Sequence, residues 1–87
     1  MKEHSELFQR VKKIICEQIH VADSDLELHS DSLEFAAWDS LADTMIYLEI
    51  VNSIEESFSF EQYLECRNVG EIVKAILMVS DKKNTNA

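Results

Sequence analysis

The stretch Trp38-Asp39-Ser40-Leu41 holds the residues whose types and spacing point most clearly to chemistry. Asp39 is a strong candidate for the N-cap of a helix, which places Ser40 in the first helical turn. The free backbone amides and the positive end of the helix dipole favour negative charge there. A serine hydroxyl at this point is well placed to carry a phosphate ester. Leu41 is expected to anchor the turn to the core.

The same tripeptide occurs a second time, at Asp31-Ser32-Leu33. The tripeptide alone therefore favours a helix cap over an attachment site. Context separates the copies, because the run after Leu33 reaches Asp39 within a few residues, whereas Leu41 opens a sustained apolar segment. Ser40 is thus the candidate site, and the simpler interpretation as a cap pair stays open.

Four helical segments are predicted to position this stretch, at 5–19, 39–54, 60–66 and from Asn68 to about residue 80. Ser5 is a candidate N-cap, and Asn68 with Glu71 resembles a capping box. The connection 20–38 is long enough to suggest a function, and its scattered apolar residues predict that it lies on the core with a short helical turn. We expect an all-α domain at 1–80, with three main helices and a short one, and a polar, disordered tail at 81–87.

The second predicted helix is apolar on nearly every face between Thr44 and Val51. Such a helix is normally buried on more than one side. An 87-residue chain cannot cover it completely, so part of this surface is expected to face a partner.

The chain has 17 acidic and 8 basic residues and a net charge of −9. This charge disfavours binding to nucleic acid or to anionic membranes and favours a partner with a basic patch. No apolar run is long enough to span a membrane, and the polar N-terminus lacks a signal core. The cytoplasm is the expected location, with both cysteines reduced.

Other chemical sites are weaker. Cys16 and His20 have the spacing of a zinc pair, but no second pair follows, so a structural cysteine and a surface histidine are favoured, and no metal is expected. Cys66 is predicted to be a small core residue, and His4 and His29 are isolated. A hydrolytic triad on Ser40 lacks any sign of an oxyanion hole. We expect no catalytic residue and no enzyme activity.

The chain resembles the acyl carrier proteins, small acidic four-helix proteins modified with 4′-phosphopantetheine. Residues 10–18 are similar to the first helix of bacterial fatty-acid carriers, and Asp39-Ser40-Leu41 matches the attachment motif of the family. Residues 40–72 can be laid on typical members without gaps, with Ile54 at the end of the second helix and 67–72 at the start of the last. The resemblance covers residues 5–79.

The resemblance implies that Ser40 is the attachment serine, with Asp39 and Leu41 beside it. A phosphopantetheinyl transferase would load the arm from coenzyme A, and the terminal thiol would carry acyl groups as thioesters. The implied partners are acyl-activating, acyl-transferring or condensing enzymes of fatty-acid, lipid or polyketide biosynthesis. The carrier itself would be a monomer without catalytic activity.

Two departures from the family pattern stand out. Ala37 occupies a position where many members have glycine, and Trp38, which follows it, is expected to pack over the loop. Typical fatty-acid carriers also place glutamates on the outer face of the second helix to meet basic enzyme patches, and here those positions hold Met45, Val51 and Asn52. Acidic residues remain nearby. The predicted docking residues are Asp43, Met45, Glu49, Val51, Asn52, Glu55 and Glu56.

This pattern indicates a specialised carrier. An aminoacyl or peptidyl carrier of the same fold is an alternative. An unmodified helical module that acts only by docking is another, and it has no need of a hydroxyl at Ser40. Glu55 and Glu56 are expected to be solvated, whether or not they extend the docking face.

Overall fold

A computed structural model describes residues 2–85, with side chains described for residues 5–81. Four α-helices follow one another: α1 (Lys2–Ile19), α2 (Ser40–Ser53), α3 (Phe60–Glu65) and α4 (Val69–Thr85). Two 3₁₀ turns, Asp23–Asp25 and Ser32–Glu34, lie in the connection between α1 and α2. The described residues contain no strand. The predicted all-α architecture is confirmed as a small helical bundle.

The core lies where α1, α2 and α4 meet. Its centre consists of β-branched and aliphatic side chains that are completely withdrawn from solvent, among them Val11, Ile15, Ile46, Ile50 and Val73. Burying each larger aliphatic side chain contributes about 1.5–3 kcal/mol. The apolar residues spaced three and four apart, which predicted α1 and α4, lie on the faces that these helices bury.

The end of α1 is closed by a residue in the left-handed region. His20 has a φ of 59°, and the Val21 N–H then donates to the Cys16 carbonyl at 3.2 Å. This six-to-one hydrogen bond is the Schellman arrangement, usually built on glycine. Histidine tolerates the left-handed region better than most residues with a side chain, and the chain turns here into the long connection.

The connection between α1 and α2 is attached to the start of α4 through its backbone. Val69 N–H donates to the Ser30 carbonyl at 3.0 Å and Gly70 N–H to the Leu28 carbonyl at 2.7 Å. Ser30 is buried, and its hydroxyl accepts from the Glu27 N–H. A side chain at Gly70 would place its Cβ 3.1 Å from the Leu28 carbonyl oxygen. The lone glycine of the sequence thus permits a close backbone approach.

Side-chain caps begin the last two helices. Ser59 and Gln62 form a reciprocal capping box at α3, a pattern that the sequence carries and that the prediction missed. At α4 the Asn68 side chain accepts from the Glu71 N–H, but the Glu71 carboxylate accepts from the Arg67 N–H rather than from Asn68. The predicted pair therefore caps α4, but the Glu71 carboxylate binds the N–H of the residue before the N-cap and not that of the N-cap itself.

Three sequence predictions about the elements are wrong. Ser5 lies inside α1, which begins at Lys2, so it is not an N-cap. The last helix, predicted to end near residue 80, continues to Thr85; Asn86 and Ala87, in the tail predicted at 81–87, lie outside the described residues. Leu33, expected to touch the core, is 93% exposed, since the 3₁₀ turn directs it outward.

Within the part of the chain that the structure describes, no helix combines the length and apolarity needed to cross a membrane.

Candidate functional site

Ser40 is the first residue of α2 and is exposed to solvent. Asp39 precedes it in extended conformation, and its carboxylate accepts the Ala42 N–H at 3.0 Å. The predicted N-cap is therefore confirmed. Because Asp39 uses the Ala42 amide, the N–H groups of Ser40 and Leu41 remain directed out of the helix start. The Ser40 hydroxyl stands at the positive end of a 14-residue helix.

The second Asp-Ser-Leu copy has a different setting. Asp31 caps only the three-residue turn Ser32–Glu34, by accepting the Leu33 N–H at 2.9 Å. A helix dipole of useful size needs several aligned peptide units, which this turn does not provide. Ser32 and Ser40 are both exposed, so the length of the helix behind them is what distinguishes the two serines.

Leu41 does not anchor the turn to the core. It is 71% exposed, whereas Ala42, Ile46 and Ile50 form the buried face of α2. A helix advances about 100° per residue, so burying Ala42 turns Leu41 outward. Trp38 takes the expected anchoring role from the other side of Ser40, with 6% of its surface exposed.

A hydrogen-bonded network of three residues lies beside Ser40. The Trp38 indole N–H donates to Asp43 Oδ1 at 2.8 Å, and the Tyr63 hydroxyl donates to the same oxygen at 2.6 Å. We call this set the Trp38–Asp43–Tyr63 network. Burial, with a further contribution from the bond to Asp43, raises the pKa of Tyr63 well above its usual value, so its hydroxyl remains a neutral donor. The network joins the long connection, α2 and α3.

An aromatic cluster continues from this network toward the α2–α3 connection. The Tyr47 ring lies 5.0 Å from the Phe60 ring and 6.1 Å from both Phe58 and Tyr63, measured between centroids. The Tyr47 hydroxyl donates to the Phe58 carbonyl at 2.8 Å. Tilted ring pairs at such distances add modest attraction to the burial of their area. This cluster is the main apolar contact of α3 with α2.

The outer face of α2 is apolar. Leu41, Met45 and Leu48 lie on one stripe of the helix and are 71%, 43% and 50% exposed. Asn52 continues the stripe and is also exposed. We refer to these four residues as the outer face. The outer face runs from the residue after Ser40 to about three turns along α2, which fits the prediction that part of this helix is left uncovered by its own chain.

The remaining predicted docking residues have varied surroundings. Asp43 is half-buried in the network described above, and Val51 is half-buried at the edge of the outer face. Glu49 is exposed, and its carboxylate accepts from the Ser53 hydroxyl. The outer face itself therefore carries no carboxylate among the described residues.

Glu55 and Glu56 were both expected to be solvated, and only Glu56 is exposed. Glu55 is buried, which corrects that prediction. The reason is the turn after α2: the Glu55 carbonyl accepts from Phe58 N–H and its carboxylate from Ser57 N–H. This turn folds the Glu55 side chain inward, and Phe58 in the same turn is completely buried.

Two hollows lie near α3. A hollow of about 180 Å³ borders the Trp38–Asp43–Tyr63 network and is also lined by Ser32 and Arg67. A second, of about 280 Å³, lies between α3 and α4, with Cys66, Ala75 and Met78 among its walls. The first is the one that adjoins the residues around Ser40.

The predictions of a structural Cys16 and a surface His20 are confirmed. Cys16 is buried and its thiol points to the Ala22 carbonyl, whereas His20 and His29 are exposed; the side chain of His4 lies outside the described residues. Cys66 packs against the core while remaining half-exposed. In the described part of the chain, no group of three or more histidine, cysteine or acidic side chains could hold a metal ion.

No protein-family model matches the chain, and no solved structure matches it significantly.

Proposed function

We propose that this chain is a carrier protein that holds acyl intermediates on a 4′-phosphopantetheine group attached to Ser40. The observation that carries the proposal is the placement of Ser40: an exposed hydroxyl on the first residue of α2, capped by Asp39 and bordered by the apolar outer face. A carrier needs an accessible attachment point on a rigid element, with a surface beside it that enzymes can recognise. These features combine at Ser40, whereas the exposed Ser32 belongs to a three-residue turn and not to a long helix.

The residues at the start of α2 fit a phosphodiester. Ser40 would supply the ester oxygen, and the outward N–H groups of Ser40 and Leu41 would favour the negative charge of the phosphate. Asp39 is engaged with Ala42 N–H, so its carboxylate is held as a cap. When bound, the group supplies a terminal thiol on a long flexible arm. The chain contributes the fixed attachment point and the surface that partners bind.

The outer face of α2 is the proposed docking surface. A phosphopantetheinyl transferase and any enzyme that acts on the cargo must approach Ser40, and Leu41, Met45 and Leu48 lie along that approach. Exposed apolar patches of this kind mark interaction sites. Since this stripe lacks carboxylates, we propose a specialised carrier whose partners offer an apolar surface, with the overall charge of −9 contributing only long-range attraction to basic regions.

The test is covalent loading of the purified protein. The chain is incubated with coenzyme A, Mg²⁺ and a transferase of broad specificity, and its intact mass is measured. We expect a gain of one phosphopantetheinyl group in the wild type and in Ser32→Ala, and no gain in Ser40→Ala. The Ser32→Ala variant is the matched control, because it removes an exposed hydroxyl from the same tripeptide. Loading of Ser40→Ala, or none in the wild type, would contradict the proposal.

An unmodified interaction module is the second candidate, and the outer face is the observation that favours it. Such a module would use Leu41, Met45 and Leu48 as a permanent interface and would not require Ser40. Tight partner binding by a chain that no transferase loads would support this function instead. Equal partner binding by wild type and Ser40→Ala, together with loss of binding in Leu48→Glu, would identify it.

A further inference from the structure

One carboxylate oxygen connects three segments of the chain. Asp43 Oδ1 accepts the Trp38 indole N–H at 2.8 Å and the Tyr63 O–H at 2.6 Å. Trp38 ends the long connection two residues before Ser40, Asp43 lies one helical turn after Ser40, and Tyr63 belongs to α3. Hydrogen bonds to a carboxylate are shorter and stronger than bonds between neutral groups. Residues on both sides of Ser40 are thus held by an atom that α3 also contacts.

Tyr63 connects α3 to α2 through its ring, which lies against Tyr47, and through its hydroxyl, which donates to Asp43. It is the buried residue of this six-residue helix, whereas Phe60 and Leu64 are 39% and 58% exposed. The hollow of about 180 Å³ lies beside Trp38, Asp43 and Tyr63. The Trp38 and Tyr63 side chains are nevertheless buried, so their N–H and O–H groups need the acceptor that Asp43 provides.

We propose that Asp43 is a positioning residue that couples α3 to the attachment site at Ser40. The Tyr63 hydroxyl holds the carboxylate in the orientation that receives the Trp38 indole, and the indole in turn fixes the backbone entering α2. When α3 moves away, the carboxylate loses one donor and becomes free to rotate, which weakens its bond to Trp38. The position of α3 is thereby transmitted to the segment before Ser40.

The coupling is tested in the unmodified protein by hydrogen exchange of the Trp38 indole N–H. The chain has one tryptophan, so its indole resonance is unambiguous. Tyr63→Phe removes only the hydroxyl, and Tyr47→Phe is the matched control, because Tyr47 belongs to the same aromatic cluster but donates to the Phe58 carbonyl. We expect indole exchange to become about ten-fold faster in Tyr63→Phe, as loss of a hydrogen bond to a charged acceptor implies, and to stay at the wild-type rate in Tyr47→Phe.

Unchanged exchange in Tyr63→Phe, or equal acceleration in both variants, would overturn the proposal. The free energy of unfolding of each variant is measured alongside, so that acceleration by global opening is recognised. Should Tyr63→Phe fail to fold, Asp43→Asn provides the second test, since it keeps the side-chain shape and weakens both bonds. Faster indole exchange in folded Asp43→Asn is expected, and wild-type exchange would contradict the coupling.

The consequence for Ser40 rests on the proposed carrier function and is measured as the kcat/KM of loading by a transferase. Tyr63→Phe and Trp38→Phe should each lower kcat/KM by about ten-fold, because each misplaces the Ser40 hydroxyl. Their double variant should lose less than the two losses combined, because both act through Asp43. If the wild type is not loaded, the carrier function fails while the exchange experiment still decides the coupling. If the wild type is loaded and both variants match it, the inference is overturned.

Discussion

The orientation of α2 makes a prediction that two neighbouring residues can test. Ile46 is completely buried and Leu48 is half-exposed, although the sequence makes both equally apolar. Ile46→Ala should lower the free energy of unfolding by about 2–5 kcal/mol, because it removes packed methyl groups and leaves a cavity. Leu48→Ala removes only half-buried groups, at about 1 kcal/mol or less, and the higher helix propensity of alanine offsets a few tenths of that.

The assay is urea unfolding followed by far-ultraviolet circular dichroism, which suits a small domain with two-state behaviour. Ile50→Ala is the matched control on the buried face and should behave like Ile46→Ala. Equal costs for Ile46→Ala and Leu48→Ala would show that α2 is rotated from its described orientation and would remove the outer face as a docking surface. A stable Leu48→Ala also allows a loss of partner binding to be assigned to the interface.

Three further outcomes are expected. Gly70→Ala should lower the free energy of unfolding by about 1 kcal/mol in urea titrations. The new Cβ would lie 3.1 Å from the Leu28 carbonyl oxygen, which already accepts from the Gly70 N–H, and this crowding outweighs the better helix propensity of alanine. A more stable variant would contradict this. His20→Gly should be more stable by up to about 1 kcal/mol, since glycine adopts the left-handed φ of 59° without strain, and a lower melting temperature would count against it. Burial and, to a lesser extent, neighbouring carboxylates raise the pKa of Cys66 from 9.0 to about 11, so at pH 9 the thiolate falls from about half to about 1%. Alkylation of Cys66 in a Cys16→Ser background should therefore be about 50-fold slower than that of a free thiol, and an equal rate would refute the shift.

The helices were predictable because their signals are local. Asp39 and Asn68 mark helix starts because their side chains accept from backbone N–H groups three residues further on. The apolar residues of α1 and α4 repeat at the helical period. Ser59 and Gln62 carry an equally local signal, the capping box at α3. Elements of this kind can be read without knowing what lies beside them.

The rotation of α2 could not be read in the same way. Apolar residues occupy nearly every face of that helix, so the pattern has no preferred direction. Only packing into the core, with α1 as the neighbouring helix, decides that Ile46 faces inward and Leu41 outward. Packing of the turn after α2 against the core also buries the Glu55 side chain. The Trp38–Asp43–Tyr63 network joins residues 20 positions apart, and no local pattern relates Tyr63 to the start of α2.

The most direct test of phosphopantetheine attachment at Ser40 is the mass of the protein purified from its own cells, followed by fragmentation of the peptide that contains Ser40. We expect a fraction of the molecules to bear a phosphopantetheinyl group on Ser40, and some of these to carry an acyl group on its thiol. A population that is always unmodified at Ser40, or that carries the group at Ser32, would contradict it.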